Sequence, residues 1–342
     1  APSTLYTSAL PTISGTALDP VGANPAINKS RMRDVKIAIQ LISNGNWWDG
    51  VSFSTTNTQF TNEGGFNADP KSFWVAASTE TEGLGASPIN WSSAPISMPL
   101  TPGSTYIMYA RGRDNALNFN SPITSHTFIW DPTPPTIALQ SPAPSIHNKR
   151  IPALSVLSGT ADDNTALALV ELRIRYDTIG QAQTGKYWDL QSKVAPNFGI
   201  DPSAAETAWF PATSLVSWST NAFASFWGSN NSSFTVIARA RDLAGNYTVT
   251  YASVSFTFDT GAPSSFVSVP SSNVITGLPC VGAVCLSGTA LDVPGDGLVK
   301  FSSVAVKQLS DGYWLGGGGA FSVPPQATPN WLPATVATPG NQ

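Results

Sequence analysis

The chain has 342 residues, 42% hydrophobic and only 11% charged, with a net charge of −4. That length allows two or three domains with cores of ordinary size, while weak acidity without a basic stripe excludes nucleic-acid binding through phosphates. No run of about 18 apolar residues occurs, so no transmembrane helix is expected, and Ser, Thr, Asn, Gly and Pro stand where charge would be, as in many secreted β-proteins.

The first predicted strand is Ile13-Ser14-Gly15-Thr16-Ala17, closed by Leu18-Asp19. Val35, Ile37, Ile39 and Leu41 then alternate with polar residues, the period-two pattern of a strand with one buried face. Asn44-Gly45 follows, a pair that accepts the positive φ of a tight hairpin, and then Trp47-Trp48. A variable stretch carries Phe60, Phe73, Trp74 and Asn90-Trp91-Ser92. Next comes Tyr106 to Asp114, with Tyr106, Met108, Ala110 and Gly112 on one face and Arg111 and Arg113 on the other. The turn Asp114–Asn118 and a last strand ending at Asp131 lead into Pro-Thr-Pro-Pro, a short stiff linker.

The same order then returns. Leu157-Ser158-Gly159-Thr160-Ala161-Asp162-Asp163 is followed by Val170, Leu172 and Ile174, the turn Thr184-Gly185, and Tyr187-Trp188. Ser217-Trp218-Ser219 matches Asn90-Trp91-Ser92, and Phe234 to Asp242 repeats the Ala-Arg strand at an offset of 128. Asp259 ends the unit as Asp131 ends the first. A third copy runs through Leu286-Ser287-Gly288-Thr289-Ala290-Leu291-Asp292, Val304 and Val306, Asp311-Gly312 and Tyr313-Trp314 to Trp331. No helical period persists. The expectation is an all-β chain of tandem sandwiches, bounded 1–133, 134–262 and 263–342. The third unit has no Ala-Arg strand within the sequence. Either the sequence is a window on a longer polypeptide, or a neighbouring chain donates strands to the open sandwich; head-to-tail donation would build a filament.

Chemistry-bearing motifs are sparse. There is no nucleophile elbow, zinc motif or phosphate loop; Gly316 to Gly319 lacks the Lys-Thr that a phosphate site needs, and Glu171 or Glu206 reads as a solvated strand residue before it reads as the partner of an Asp in a glycosidase pair. The expectation is no enzymatic activity. Cys280 and Cys285, five apart, suggest a disulfide and an oxidising compartment. Trp48, Trp188 and Trp314 recur at one place in every unit and read as structural aromatics; the unrepeated Phe60, Phe73 and Trp227 read as a partner surface. Calcium is the one ion the pattern suggests, with Asp131 and Asp259 at the linkers, where a following unit could add carboxylates. Asp19, Asp162, Asp163, Asp292 and Asp296 read first as turn caps. The Arg pairs are expected to lie over aromatics or pair with Asp on the sheet surface.

The order Ser-Gly-Thr-Ala-x-Asp, apolar strand, aromatic-Trp, Ala-Arg-Ala-Arg-Asp-x-Ala-Gly-Asn and Phe-Asp-x-x-x-Pro resembles bacterial immunoglobulin-like repeats of large secreted and cell-surface proteins. The first unit departs from it at Leu117, where the second has Gly245. The resemblance implies immunoglobulin-like sandwiches with a role in spacing, adhesion or assembly, and brings no catalytic residues. The expected protein is extracellular or on the cell surface: a segment of a fibre, filament or stalk whose partners are copies of itself or other surface proteins. The alternatives are an adhesin or carbohydrate-binding array, and the accessory region of a secreted hydrolase.

Overall fold

The computed structural model describes residues 5–10, 12–19, 32–56, 75–79, 89–93, 97–120, 122–143, 150–151, 154–189, 198–221, 227, 231–270, 286–292, 302–316, 321–325 and 328–334. The first repeat contributes β1 (Leu5–Thr7), β2 (Ser14–Ala17), β3 (Met32–Leu41), β4 (Trp47–Trp48), β5 (Phe53–Thr55), β6 (Val75–Thr79), β7 (Ile89–Ser92), β8 (Ser104–Asp114) and β9 (Thr124–Trp130). Their hydrogen-bonded order is β1-β9-β8-β3-β6-β7-β2, with β4 and β5 branching from β3. β6 pairs with β3 through Val75–Ala77 and with β7 through Ser78 and Thr79, so one strand passes between two sheets, a corner device of β-sandwiches.

The alternation in β3 sets its buried face. Val35, Ile37 and Ile39 are 1%, 0% and 0% exposed, and each such aliphatic side chain stabilises the fold by about 1.5–3 kcal/mol. β8 pairs antiparallel along β3 and turns Tyr106 inward, where it stacks on Phe128 at 5.4 Å. The hairpin after β3 closes with Gly45 at φ +73°, as its Asn-Gly pair requires, and delivers Trp48 to the core.

The second repeat contains β10 (Thr136–Ser141), β11 (Arg150–Ile151), β12 (Val156–Asp162), β13 (Leu167–Tyr176), β14 (Phe210–Pro211), β15 (Ser217–Asn221), β16 (Ser232–Asp242) and β17 (Ala252–Phe258). They form a sheet β10-β12-β15 and a sheet β11-β17-β16-β13-β14. Leu139, Leu157 and Trp218 from the first meet Val170, Leu172, Ile174, Phe234, Val236 and Val254 from the second in one core, which makes a β-sandwich. Gly159 sits under the ring of Trp218, as Gly15 sits under Trp91; a Cβ at either glycine would lie within 2.6 Å of the indole. One element departs from the all-β expectation. Pro202–Ala208 forms a short 3₁₀ turn after the extended Asp201, with its proline at the start; the sequence signal was the Asp-Pro pair opening a helical turn.

In the third repeat β18 (Ser264–Val269) pairs with β19 (Ser287–Leu291), β20 (Ser302–Val304) with β23 (Leu332–Ala334), and β21 (Trp314–Leu315) with β22 (Phe321–Val323). Ser303 opposite Pro333 and Val304 opposite Leu332 reproduce the register of Glu171 with Pro211 and Leu172 with Phe210. Among the described residues no strand lies on the other edge of β20, the edge that β16 occupies on β13. Phe266, Val267, Leu309 and Trp331 are exposed.

The two turns after the Ala-Arg strands differ in one residue with an energetic consequence. Gly245 has φ +94° and Leu117, its counterpart, φ +73°. A side chain in the left-handed region costs about 1–2 kcal/mol, part of which glycine would lose again as unfolded-state entropy. Since Leu117 is half exposed, little burial is lost with it. Leu117→Gly is therefore expected to stabilise the first repeat by about 0.5–1 kcal/mol in chemical denaturation; destabilisation would mean that the Leu117 side chain contributes packing.

Candidate functional site

The functional geometry lies at the joint between the first and second repeats. β9 ends in Asp131, whose N–H donates to Thr7 O at 2.8 Å, tying the last strand to β1. Its side chain turns into the second repeat and has no exposed surface. Oδ1 accepts from Thr133 N at 3.1 Å, the Asx turn that starts the proline linker, and Oδ2 contacts Thr165 Oγ1. From the second repeat Asn246 reaches back: one Nδ2 donates to Asp131 O at 2.8 Å and to Asp242 Oδ2 at 2.7 Å. Asp242 is held by Asn246 N on Oδ1 at 2.8 Å and is 1% exposed. The turn Asp242–Asn246 thus places a strand end of one repeat against the linker of another. Gly103 in the first repeat approaches Asn164 and Thr165, leaving 3.3 Å between a Cβ built on it and Asn164 Nδ2.

Asp163 completes the cluster. Its Oδ2 accepts from Thr165 N at 2.9 Å and Ala166 N at 3.0 Å, and also meets Thr165 Oγ1 at 3.0 Å. A threonine hydroxyl has one hydrogen to give, so it can satisfy Asp131 or Asp163 but not both. Asp163 Oδ1 is buried and has no hydrogen-bond partner. One carboxylate oxygen from each of Asp131, Asp163 and Asp242 lies within 4.8 Å of the others. Like charges at that range repel by on the order of 3 kcal/mol per pair at an effective dielectric of about 20. Among the described residues none of the three makes an ion pair. Three hard oxygen donors, one of them orphaned, fit a hard divalent cation such as calcium. Of these residues sequence reasoning singled out Asp131 as a ligand, read Asp163 as a turn cap, and missed Asp242. The signal for Asp242 was available: it is followed by Asn246 in a turn that the first repeat shares at Asp114–Asn118, where Asn118 N and Nδ2 bind Asp114 at 2.8 and 2.9 Å. At the second linker Asp259 makes the same Asx turn, accepting from Gly261 N at 3.0 Å.

A second polar cluster covers the outer face of the second repeat. Arg239 lies 4.1 Å from the ring centre of Trp209 and 4.7 Å from that of Tyr247. It also binds Glu171 Oε2 at 2.9 Å and Glu206 Oε2 at 2.8 Å. Arg173 shares Glu206 at 3.2 Å and lies 4.4 Å over the same Trp209 ring. Burial pushes the Glu206 carboxyl up, but hydrogen bonds from Arg239 and Trp209 and the two guanidinium charges together hold it below the usual carboxylate range. The two glutamates, each weighed as the partner of an Asp in a glycosidase pair, are thus both ligands of one guanidinium. In the first repeat Arg111 lies 4.2 Å over Phe119, and the side chain of Arg113 pairs with Asp34. The Arg pairs therefore lie over aromatics, as expected; Arg113 pairs with an aspartate, also as expected, whereas Arg239 pairs with two glutamates.

The recurring tryptophans take structural places: Trp48 and Trp188 are buried in the cores of their repeats, and Trp314 is half buried beneath Lys307. Trp227 corrects the sequence reading. It does not line a partner surface; it is 0% exposed, donates Nε1 to Leu154 O at 2.8 Å and packs edge-on against Phe234 and Phe256. An unrepeated aromatic fills a local gap in a core as readily as it makes a surface. Phe60, Phe73, Cys280 and Cys285 lie outside the described residues, and the disulfide gains no support.

No family model and no curated protein matches the chain. Among solved structures, a tetra-tandem repeat from the extending region of a large adhesion protein is 18% identical, covering 96% of this chain and 62% of its own, with a TM-score of 0.27. Salmonella α2-macroglobulin is 11% identical over 92% of this chain and 16% of its own, TM-score 0.24. The sialic-acid-binding region of a Streptococcus sanguinis adhesin is 13% identical over 74% and 75%, TM-score 0.20. The chain spans less than two thirds of the adhesion-protein repeat, and superpositions this loose carry no functional argument.

The Glu206 cluster makes a pH prediction. A carboxyl with a lowered value in the folded state adds stability that is complete above the usual glutamate range and is lost as pH falls through the lowered value. Glu206→Gln should leave less acid-induced loss of stability than the native chain shows in melting curves between neutral pH and pH about 3. Identical acid limbs would show that the Arg239 and Arg173 contacts contribute nothing.

Proposed function

We propose that the chain is a non-enzymatic, extracellular spacer: immunoglobulin-like sandwiches in series, forming part of a bacterial cell-surface fibre, stalk or adhesin. The observation that carries this reading is the joint. Asp131 closes one repeat while its side chain is buried against the next, and Asn246 bonds its carbonyl. A flexible linker between independent domains has no need of a buried carboxylate at its root; a joint that holds two repeats in line does. The Asx turn at Asp259 and the proline-containing segment after it repeat the Asx turn and proline of the first linker. The glycan-binding alternative loses Trp227 to the core and keeps Phe60 and Phe73, which lie outside the described residues. Strand donation between chains would act at the edge of β20 opposite β23, which no strand occupies among the described residues.

Calcium is the cofactor that the joint would take. Asp131, Asp163 and Asp242 would hold it, and its charge would offset their mutual repulsion and give Asp163 Oδ1 a partner. Its contribution would be mechanical: a cation bound between repeats ties the linker to the second repeat and stiffens the series.

Two measurements test these statements. Small-angle scattering should give a radius of gyration near 35 Å, the value for three units each about 40 Å long in line, against about 20 Å for one compact body of this length; a value near the latter would contradict the spacer. Calcium at up to about 10 mM should raise the melting temperature over that in EDTA by several degrees. Asp163→Asn should melt higher than the native chain in EDTA, because one repulsive charge is gone, and lose most of the calcium response. An unchanged response would place any bound calcium elsewhere.

A further inference from the structure

The outer faces of the first two repeats carry the same arginine pair in the same register, and differ in what answers it. Arg111 and Arg113 stand on β8, Arg239 and Arg241 on β16. Arg113 lies opposite Asp34 of β3 and pairs with its carboxylate. Arg241 lies opposite Leu169 of β13, which has no charge to offer. Glu171, one step along the same face, goes to Arg239, and Glu206 is shared between Arg239 and Arg173. Arg175, further along, has Asp177. Among the described residues Arg241 makes no ion pair and no hydrogen bond, and its buried Nε has no partner. A partly buried guanidinium without a counter-charge is an unfavourable arrangement that an outside anion would relieve.

The surroundings differ in the same sense. In the first repeat Phe119 and Ile123 pack beside Trp47, with Arg111 over the Phe119 ring. The offset of 128 puts Tyr247 and Tyr251 at their places, and the bridge of Arg241 with Tyr247 matches that of Arg113 with Phe119. Both tyrosines are exposed, at 39% and 38%. The Tyr247 ring serves both arginines, its centre 4.7 Å from the Arg239 guanidinium and 5.6 Å from that of Arg241. Its hydroxyl makes no hydrogen bond among the described residues. Tyr251 meets Trp209 edge to face at 5.5 Å. The second repeat thus has two exposed phenols where the first has packed apolar side chains, beside a guanidinium that faces leucine where the first has a carboxylate.

We propose that Arg241 and Tyr247 form a binding site for a carboxylated sugar on the outer face of the second repeat. The guanidinium takes the carboxylate, as Arg113 takes Asp34 in the first repeat. Since Nε is buried, the carboxylate approaches the two Nη groups end-on. The Tyr247 ring offers an apolar face to the sugar's C–H groups, and its hydroxyl offers a partner to the sugar's own hydroxyls. An acidic side chain of a protein would need the cation alone; the two phenols suit a ligand that is polyhydroxylated as well as anionic. Uronates and sialic acids share that chemistry. The site lies within one repeat, so it requires neither the serial arrangement nor calcium, and it adds a ligand to a chain otherwise read as a spacer.

The test is a titration of the full chain, followed by heteronuclear NMR, with digalacturonate, with sialyllactose and with lactose as the neutral control. The expected result is saturable binding of at least one acidic sugar with a dissociation constant of roughly 1 mM or below, with shifts at Arg241 and Tyr247, and no binding of lactose. The acid that binds identifies the source, a uronate polysaccharide or a sialylated glycan. Arg241→Gln should weaken binding at least about tenfold, the scale of one charge-assisted contact. Leu169→Asp should do the same with the guanidinium retained, because it supplies the internal carboxylate that Asp34 gives Arg113. Each variant is scored only with native circular dichroism, and either alone decides. Binding of neither acid, equal binding of lactose, or binding that a folded variant leaves unchanged would overturn the proposal. So would a triglutamate peptide that binds more tightly than both sugars, which would make this face a docking point for an acidic protein. The titration reads one face and the scattering reads the length of the chain, so either can fail while the other stands.

Discussion

The buried carboxylate of Asp131 is the constraint on which the serial arrangement depends. An aspartate with no exposed surface must be compensated by the groups around it. Here the compensation comes from another repeat: Thr165 and Asn246 bond its side chain and its carbonyl, and the turn Asp242–Asn246 is shaped to bring them there. Leaving that joint would give up the hydrogen bonds of Thr165 and Asn246 that tie the linker to the second repeat. The joint is therefore a preferred arrangement of the two repeats and not a slack hinge. The crowding of Asp163 and Asp242 around the same point is what would make it responsive to cations, since a single divalent ion would offset two of the three carboxylate charges.

Around the joint, the repeats solve one packing problem with different degrees of completeness. In each, the Ser-Gly-Thr-Ala strand has a glycine at its centre because something must approach closely. In the second repeat that is both an indole and a carbonyl; in the first it is the indole of Trp91, and in the third the carbonyl of Phe266. The long strands β3, β8, β13 and β16 supply a large share of the core through alternation. The outer faces are held by guanidinium stacks, where Arg239 and Arg173 share Trp209 and Glu206. This lattice substitutes for the surface charge that the composition lacks: few charges are present, and in the second repeat several are spent on one cluster.

Much of this was legible in the residues. The buried faces of β3 and β13 follow from period two, and the hairpins at Gly45, Gly185 and Gly312 all have the positive φ that their sequences demand. The linker aspartates were identifiable because each precedes a proline-bearing segment. Other features depended on neighbours that a linear pattern does not name. Asp242 reads as a strand-ending residue until Asn246 folds it onto Asp131. Trp227 reads as an orphan aromatic until Leu154 O meets its indole N–H. The 3₁₀ turn at Pro202–Ala208 matters because it lifts Glu206 and Trp209 over the arginines, a role visible only when strand β13 lies beneath.

The central claim is that the first two repeats are held in one orientation by the joint. Spin labels at the exposed positions Val51 and Val216, one in each repeat, would read it directly as a distance distribution by pulsed electron resonance. The account predicts a single narrow distribution in the native chain that broadens when Asn246 is replaced by Ala. A broad distribution in the native chain, or one that Asn246→Ala leaves unchanged, would contradict it.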